Sequence, residues 1–178
     1  MAAPVPSTFY AGQRWRAADV NTEIRDNLNW AMDAKVCRVQ RAGSQAIGTG
    51  ANEAILFTTE DFDPLGWHTG TGYTNLIVPD IAGYYQVHGC TSFVANATGV
   101  RRAIISAESF GTGPYNMAGV SEIGNATYRP LLSVSTIVYL NGTTDYVQLM
   151  VYQNSGADLN TSVADGVTTS LCVSLLGT

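Results

Sequence analysis

The hydrophobic pattern of this chain changes period near residue 35. Before that point apolar residues recur at helical spacing, and after it they alternate. In the first regime Val20, Ile24, Leu28 and Ala31/Met32 fall on one narrow stripe, which predicts a helix from about Ala17 to Lys35. Asp19 and Glu23 lie near its positive end and Lys35 near its negative end, as the helix macrodipole prefers. Such a stripe packs on its own domain, joins a three-fold bundle or docks onto a neighbouring protein, and the pattern alone does not choose. The sixteen residues before it read as an extended arm: Pro4 and Pro6 oppose helix, and Phe9, Tyr10 and Trp15 favour docking onto something.

From Val36 the runs "KVCRVQRAG", "EAILFTTEDF", "TNLIVP", "GYYQVHGCTSFVA", "GVRRAIISAE", "RPLLSVSTIVYL", "DYVQLMVYQNSG" and "TSLCVSLLG" are rich in β-branched and aromatic residues. Between them stand turn signals such as "GTGAN", "DPLGW", "NATG", "FGTGPYN" and "NGTT". Short strands at regular spacing predict an all-β sandwich or barrel, and no helical period interrupts them to make a parallel α/β sheet. The expected division is therefore an arm and helix over 1–35 and a β head over 36–178.

The alternation assigns faces. Tyr85, Val87, Gly89, Thr91 and Phe93 share one face of their strand and are expected in the core; Tyr84, Gln86, His88 and Cys90 share the other. Val147, Leu149 and Val151 oppose Tyr146, Gln148, Met150 and Tyr152 in the same way, and Leu132, Val134, Val138 and Leu140 oppose Ile137 and Tyr139. These second faces are not cleanly polar. A monomeric sandwich shows water a polar outer face, so Tyr84, His88, Tyr146, Met150 and Tyr152 are expected to meet another copy of the chain.

Composition fits a covered surface. Charged residues make up 13%, about half of the usual ~25%. Residues 1–41 hold six basic and four acidic side chains, a balance of +2; residues 42–178 hold three and ten, a balance of −7. An acidic body, in a chain with one lysine in all, excludes a nucleic-acid binder, which needs Lys/Arg clusters. Arg101 and Arg102 are adjacent on a strand and so point to opposite faces. Cys37, Cys90 and Cys172 are odd in number, lack zinc spacing and read as free thiols, consistent with assembly in a reducing cytoplasm. The first residues lack the apolar stretch of a secretory signal, and no run reaches the ~20 apolar residues of a membrane span, so cytosolic folding without membrane insertion is expected. The Asn-x-Ser/Thr sequons read as chance matches in a chain rich in Asn and Thr.

Catalytic constellations do not emerge. His68 and His88 lack the spacing of a metal site. His88 and Cys90 share a face, but their side chains stand parallel and no orienting carboxylate is near. Glu60, Asp61 and Asp63 could supply acid/base chemistry, but beside Pro64 and Gly66 they read as a solvated turn. Glycine-rich segments are not followed by a helix, so no phosphate cradle is expected. No enzyme, cofactor or metal is predicted.

Two blocks resemble known proteins. "TFYAGQRWRAADVNTEIRDNLNW" is similar to the N-terminal segment of small tail and virion proteins of actinobacterial phages. The body resembles the tumour-necrosis-factor-like jelly roll, the fold of the complement globular head, through Phe62-Asp63, Gly83 followed by Tyr85, and the late "LNGTTDYVQL" hairpin. That hairpin departs from the family at Thr144, where glycine is typical, and keeps Asp145. The resemblance implies a jelly-roll homotrimer on the virion: a minor tail or short fibre protein, or alternatively a capsid decoration protein or head fibre. Its arm and helix (Phe9, Tyr10, Trp15, Val20, Ile24, Leu28) would hold other virion proteins. Its head would meet host-surface glycan through Trp67, His68 and Tyr73 in one loop and Tyr115 and Asn116 in another. A glycan-active enzyme is the third and weakest reading.

Overall fold

The computed structural model describes residues 8, 10–70, 74–109, 112–164 and 166–178. Phe9 and Tyr73 lie outside the described residues. The strands are β1 (Val36–Arg41), β2 (Ala46–Ile47), β3 (Asn52–Ala54), β4 (Thr59–Phe62), β5 (Gly83–Ser92), β6 (Asn96–Ser109), β7 (Thr112–Asn125), β8 (Leu131–Leu140), β9 (Tyr146–Gln153), β10 (Leu159–Asn160) and β11 (Thr169–Gly177). They form a five-stranded sheet, β4-β1-β11-β5-β8, facing a four-stranded sheet, β3-β9-β6-β7, with a small β10-β2 pair beside them. This is a β-sandwich, one of the two architectures the strand pattern predicts, in the jelly-roll form that the resemblance implies.

The core is made by the predicted inward sets. Tyr85, Val87, Phe93, Leu132, Leu140, Val147, Leu149 and Val151 are fully buried, joined by Phe57 and Trp67. Gly89 sits mid-strand because the facing sheet comes close: a Cβ there would lie 2.7 Å from Leu149 Cδ1. Arg101 is fully buried while Arg102 is exposed, as opposite faces require. Its guanidinium donates to the carbonyls of Thr98 at 2.9 Å and Val100 at 3.1 Å and stands over the Phe93 ring.

Four local expectations change. "EAILFTTEDF" is not one strand: Asn52–Ala54 pairs with β9, Thr59–Phe62 pairs with β1, and residues 55–58 carry the chain from one sheet to the other. "TNLIVP" supplies only bridges, Ile77 pairing with His68 and with Val147. "NATG" belongs to β6, where Gly99 has φ +78° at an irregular register. Most of β7 went unread because Gly113, Pro114, Gly119 and Gly124 punctuate it. It is an edge strand, where a proline costs no ladder bond on its open side.

The helix is shorter than expected and interrupted: α1 (Ala17–Val20), a π-helical turn (Asn21–Asp26) and α2 (Asn27–Met32). The Arg16 amide donates to Asp19 Oδ2 at 3.1 Å, closing the N-terminus. Lys35 lies beyond the helix, its ammonium 4.3 Å from the Trp30 ring centre. No residue of the helix is buried, although Trp30 packs against the edge of the core.

Antiparallel order sorts the molecule into two ends. Val36 pairs with Ser174, and Gly83 with Leu140, so the helix, the C-terminus and the turn 141–145 share one end. The connections 42–45, 93–95 and 126–130 lie at the other.

Candidate functional site

The outer face of the five-stranded sheet is the candidate. Its residues come from the alternate positions of four strands: Arg38 on β1; Cys172, Ser174 and Leu176 on β11; Tyr84, Gln86, His88 and Cys90 on β5; Ser133, Ser135, Ile137 and Tyr139 on β8. Register places them in rows. Arg38, Cys172, His88 and Ser135 align across the sheet, and Ser174, Gln86 and Ile137 form the next row toward the helix end. Tyr84 faces Tyr139, with ring centres 5.4 Å apart in an edge-to-face arrangement.

The face has two chemical halves. Near the helix end Tyr84 (57% exposed), Ile137 (58%) and Leu176 (57%) leave apolar surface in water. Away from it the face is mostly polar, with Leu131 exposed at its margin: His88 Nε2 lies 2.9 Å from Ser133 Oγ, and Arg38 pairs with Asp61 at 3.1 Å. A groove of about 530 Å³ lies here, lined among others by Arg38, His88, Cys90, Leu131, Val167 and Cys172. Burial raises the Cys90 thiol pKa, which opposes a thiolate nucleophile. His88 and Cys90 do share a face, as the alternation implies, but the groove gives the histidine a serine and not a carboxylate.

The other candidates scatter. Tyr146, Met150 and Tyr152 stand on the outer face of the opposite sheet, so one contact surface on the five-stranded sheet contains Tyr84 and His88 alone. The three are also partly covered within the chain. Arg102 lies 5.1 Å from the Tyr152 ring centre, Met150 sits between Ala54 and Ile104 in the ladder, and burial together with the Glu108 carboxylate raises the Tyr146 hydroxyl pKa.

Trp67 requires a correction. Its indole is buried in the core, donating through Nε1 to Asp80 at 2.9 Å and meeting the Tyr85 ring edge-on, so it offers no face to a sugar. His68 is corrected likewise: it is 6% exposed, and its ring nitrogens are occupied by Glu60 Oε1 at 2.8 Å and the Thr74 carbonyl at 3.1 Å. Tyr115 is exposed, but on β7, at the other side of the sandwich from β4 and the His68 loop.

The acidic triplet is solvated only in part: Glu60 and Asp61 are exposed, but they stand on β4 and each has a partner. Glu60 holds His68, Asp61 holds Arg38, and Asp63 accepts the backbone amides of Trp67 at 3.0 Å and His68 at 2.7 Å. Each carboxylate has a separate structural partner. Among the described residues no group of three His, Cys, Asp or Glu side chains converges as a metal site, and no helix is long and apolar enough to cross a membrane.

The described residues of the anchoring set are exposed: Tyr10 and Trp15 on the arm, Val20, Ile24 and Leu28 on the helix. Within one chain the helix therefore does not spend its stripe on its own domain.

No family model and no curated protein matches the sequence. Solved structures do resemble the chain. Murine APRIL at pH 5.0 superposes with a TM-score of 0.61 at 11% identity, covering 80% of this chain and 100% of that one. The globular domain of zebrafish complement 1qA gives 0.58 at 12%, covering 80% and 97%. Eiger TNF from S. frugiperda gives 0.55 at 11%, covering 80% and 92%. At these identities the likeness establishes the fold: the head is a jelly roll of the tumour-necrosis-factor and complement globular-head type.

Proposed function

We propose that this chain is a non-enzymatic structural protein of a phage virion, a homotrimeric minor tail or short fibre protein whose β head contributes to attachment to the host surface. The observation that carries the assembly is the apolar half of the outer sheet face, where Tyr84, Ile137 and Leu176 are each more than half exposed in a single chain. Uncovered aliphatic and aromatic surface of this kind marks a protein contact. The fold supports three-fold closure by resemblance, and the virion setting is supported by the "TFYAGQRWRAADVNTEIRDNLNW" block. The N-terminal arm, carried by the helix, holds the head to other virion proteins.

With the helix end fixed to the particle, the opposite end faces out. Host contact then falls to the loops around residues 126–130 and 154–164, where Tyr128 and Val163 are exposed. Trp67 and His68 have no part in it. Tyr115 stands near the helix end and is left for the particle side.

Sedimentation of the purified chain tests the assembly, with a stable trimer expected and a monomer at micromolar concentration overturning it. Antibody-gold labelling of particles tests the location. Label on the tail is expected, and label on the capsid would assign the chain as a decoration protein or head fibre instead.

A further inference from the structure

We infer that the exposed stripe of the N-terminal helix is covered by the same stripe of the other copies, so that three helices form a parallel bundle continuous with the head interface. This rests on the trimer proposed above and adds a second, separable contact to it.

The rotation of the helix is fixed by Trp30. That side chain packs on the edge of the core, under Lys35, and lines a groove with Leu175, Leu176 and Gly177. Within α2 a step of two residues is about 200° around the axis, so Leu28 points away from the side that Trp30 docks. Ala31 and Met32 lie three and four positions beyond Leu28 and return to its face. The π turn is wider than an α turn and keeps the four-residue steps Val20–Ile24–Leu28 nearer a single line. Exposure follows this geometry: Val20 is 37% exposed, Ile24 43%, Leu28 54% and Met32 82%.

A second copy is the occupant because the stripe does not stand apart from the sheet face. Ala31, on the stripe, and Leu176, on the outer sheet face, line the same groove of about 270 Å³. A copy that covers Leu176 reaches the stripe without a gap. The helix alone is too short to associate strongly, since isolated helices of about 15 residues are marginal. Heads already held together raise the effective concentration of the helices, and three stripes then share one axis. The arm residues Tyr10 and Trp15 lie outside the bundle and keep the contact with the particle.

The test uses the full chain with Ile24→Cys, and Thr22→Cys as the off-stripe control, under mild oxidation beside the wild type. Ile24→Cys is expected to give covalent pairs holding up to about two thirds of the chains beyond any that the native Cys90 and Cys172 give in the wild type, the limit for one added thiol per protomer in a closed trimer. Thr22→Cys and the wild type are expected to give few. A trimer by sedimentation in which Ile24→Cys cross-links no faster than Thr22→Cys overturns the bundle, hands the stripe to another virion protein and leaves the head trimer standing. A monomeric wild type overturns both.

Discussion

Cys37 shows how a residue without chemistry of its own can set a solution property. It is fully buried on β1, and its thiol pKa is pushed far up by burial first and then by the nearby carboxylates of Asp63 and Glu60. In the unfolded chain the same thiol ionises near about 8.5. Unfolding therefore releases a proton above that pH, so the stability tied to the neutral thiol is whole below about pH 8.5 and declines as pH rises. The decline is limited to about 1.4 kcal/mol per pH unit for one group. Urea midpoints measured from pH 8 to 10 are expected to fall in the wild type and to fall less steeply in Cys37→Ala. Cys90, also raised by burial, carries part of what remains. Equal slopes for the two proteins would remove Cys37 from the account. The sequence marked Cys37 as a free thiol in a strand, and it is free. It could not reveal the carboxylates, because Glu60 and Asp63 come near only after the chain has crossed between sheets. Trp67 and His68 depart from expectation for the same reason. In sequence they sit in a glycine-rich loop, and only the contacts with Asp80, Tyr85, Glu60 and Thr74 fold that loop inward.

At the level of the strand, alternation carried most of the information. The inward sets of β5, β8 and β9 are those the period-two pattern assigns, since a register slip would turn every side chain to the wrong face. The pattern fails where backbone conformation replaces side-chain chemistry, as in β7 with Gly113, Gly119 and Gly124. It also cannot say which of two outer faces belongs to which sheet. That is why Tyr84 and Tyr146 were grouped although they stand on opposite sides of the sandwich. The separation yields a paired test. Ile137→Asp on β8 places a charge in the proposed contact. It is expected to dissociate the trimer by sedimentation while leaving the far-ultraviolet spectrum of the strands unchanged, because the side chain is 58% exposed in the single chain and costs the core nothing. Tyr152→Asp on β9 is expected to leave the trimer intact. The reverse pattern would move the interface to the four-stranded sheet.

For the whole molecule, the decisive feature is that both ends of the strands' connections are distinguishable. The helix, the C-terminal residues and the turn 141–145 lie together, and the turn 126–130 lies a full strand length away. The β8 strand between them spans ten residues, or about 33 Å at roughly 3.3 Å per residue. If residues 1–35 fasten the head to the particle, a probe at the far turn meets solvent and one at the near turn meets the virion. Thr127 and Thr143 are both exposed in the single chain and both sit in turns, so either accepts a cysteine without disturbing the core. Particles carrying biotin on Thr127→Cys are expected to bind streptavidin, and particles carrying it on Thr143→Cys are expected to bind little. Free protein labelled at either site should bind equally, which controls for the chemistry. Streptavidin on Thr143 but not Thr127 would invert the head, place Tyr115 outward and turn the loops around Tyr128 toward the virion.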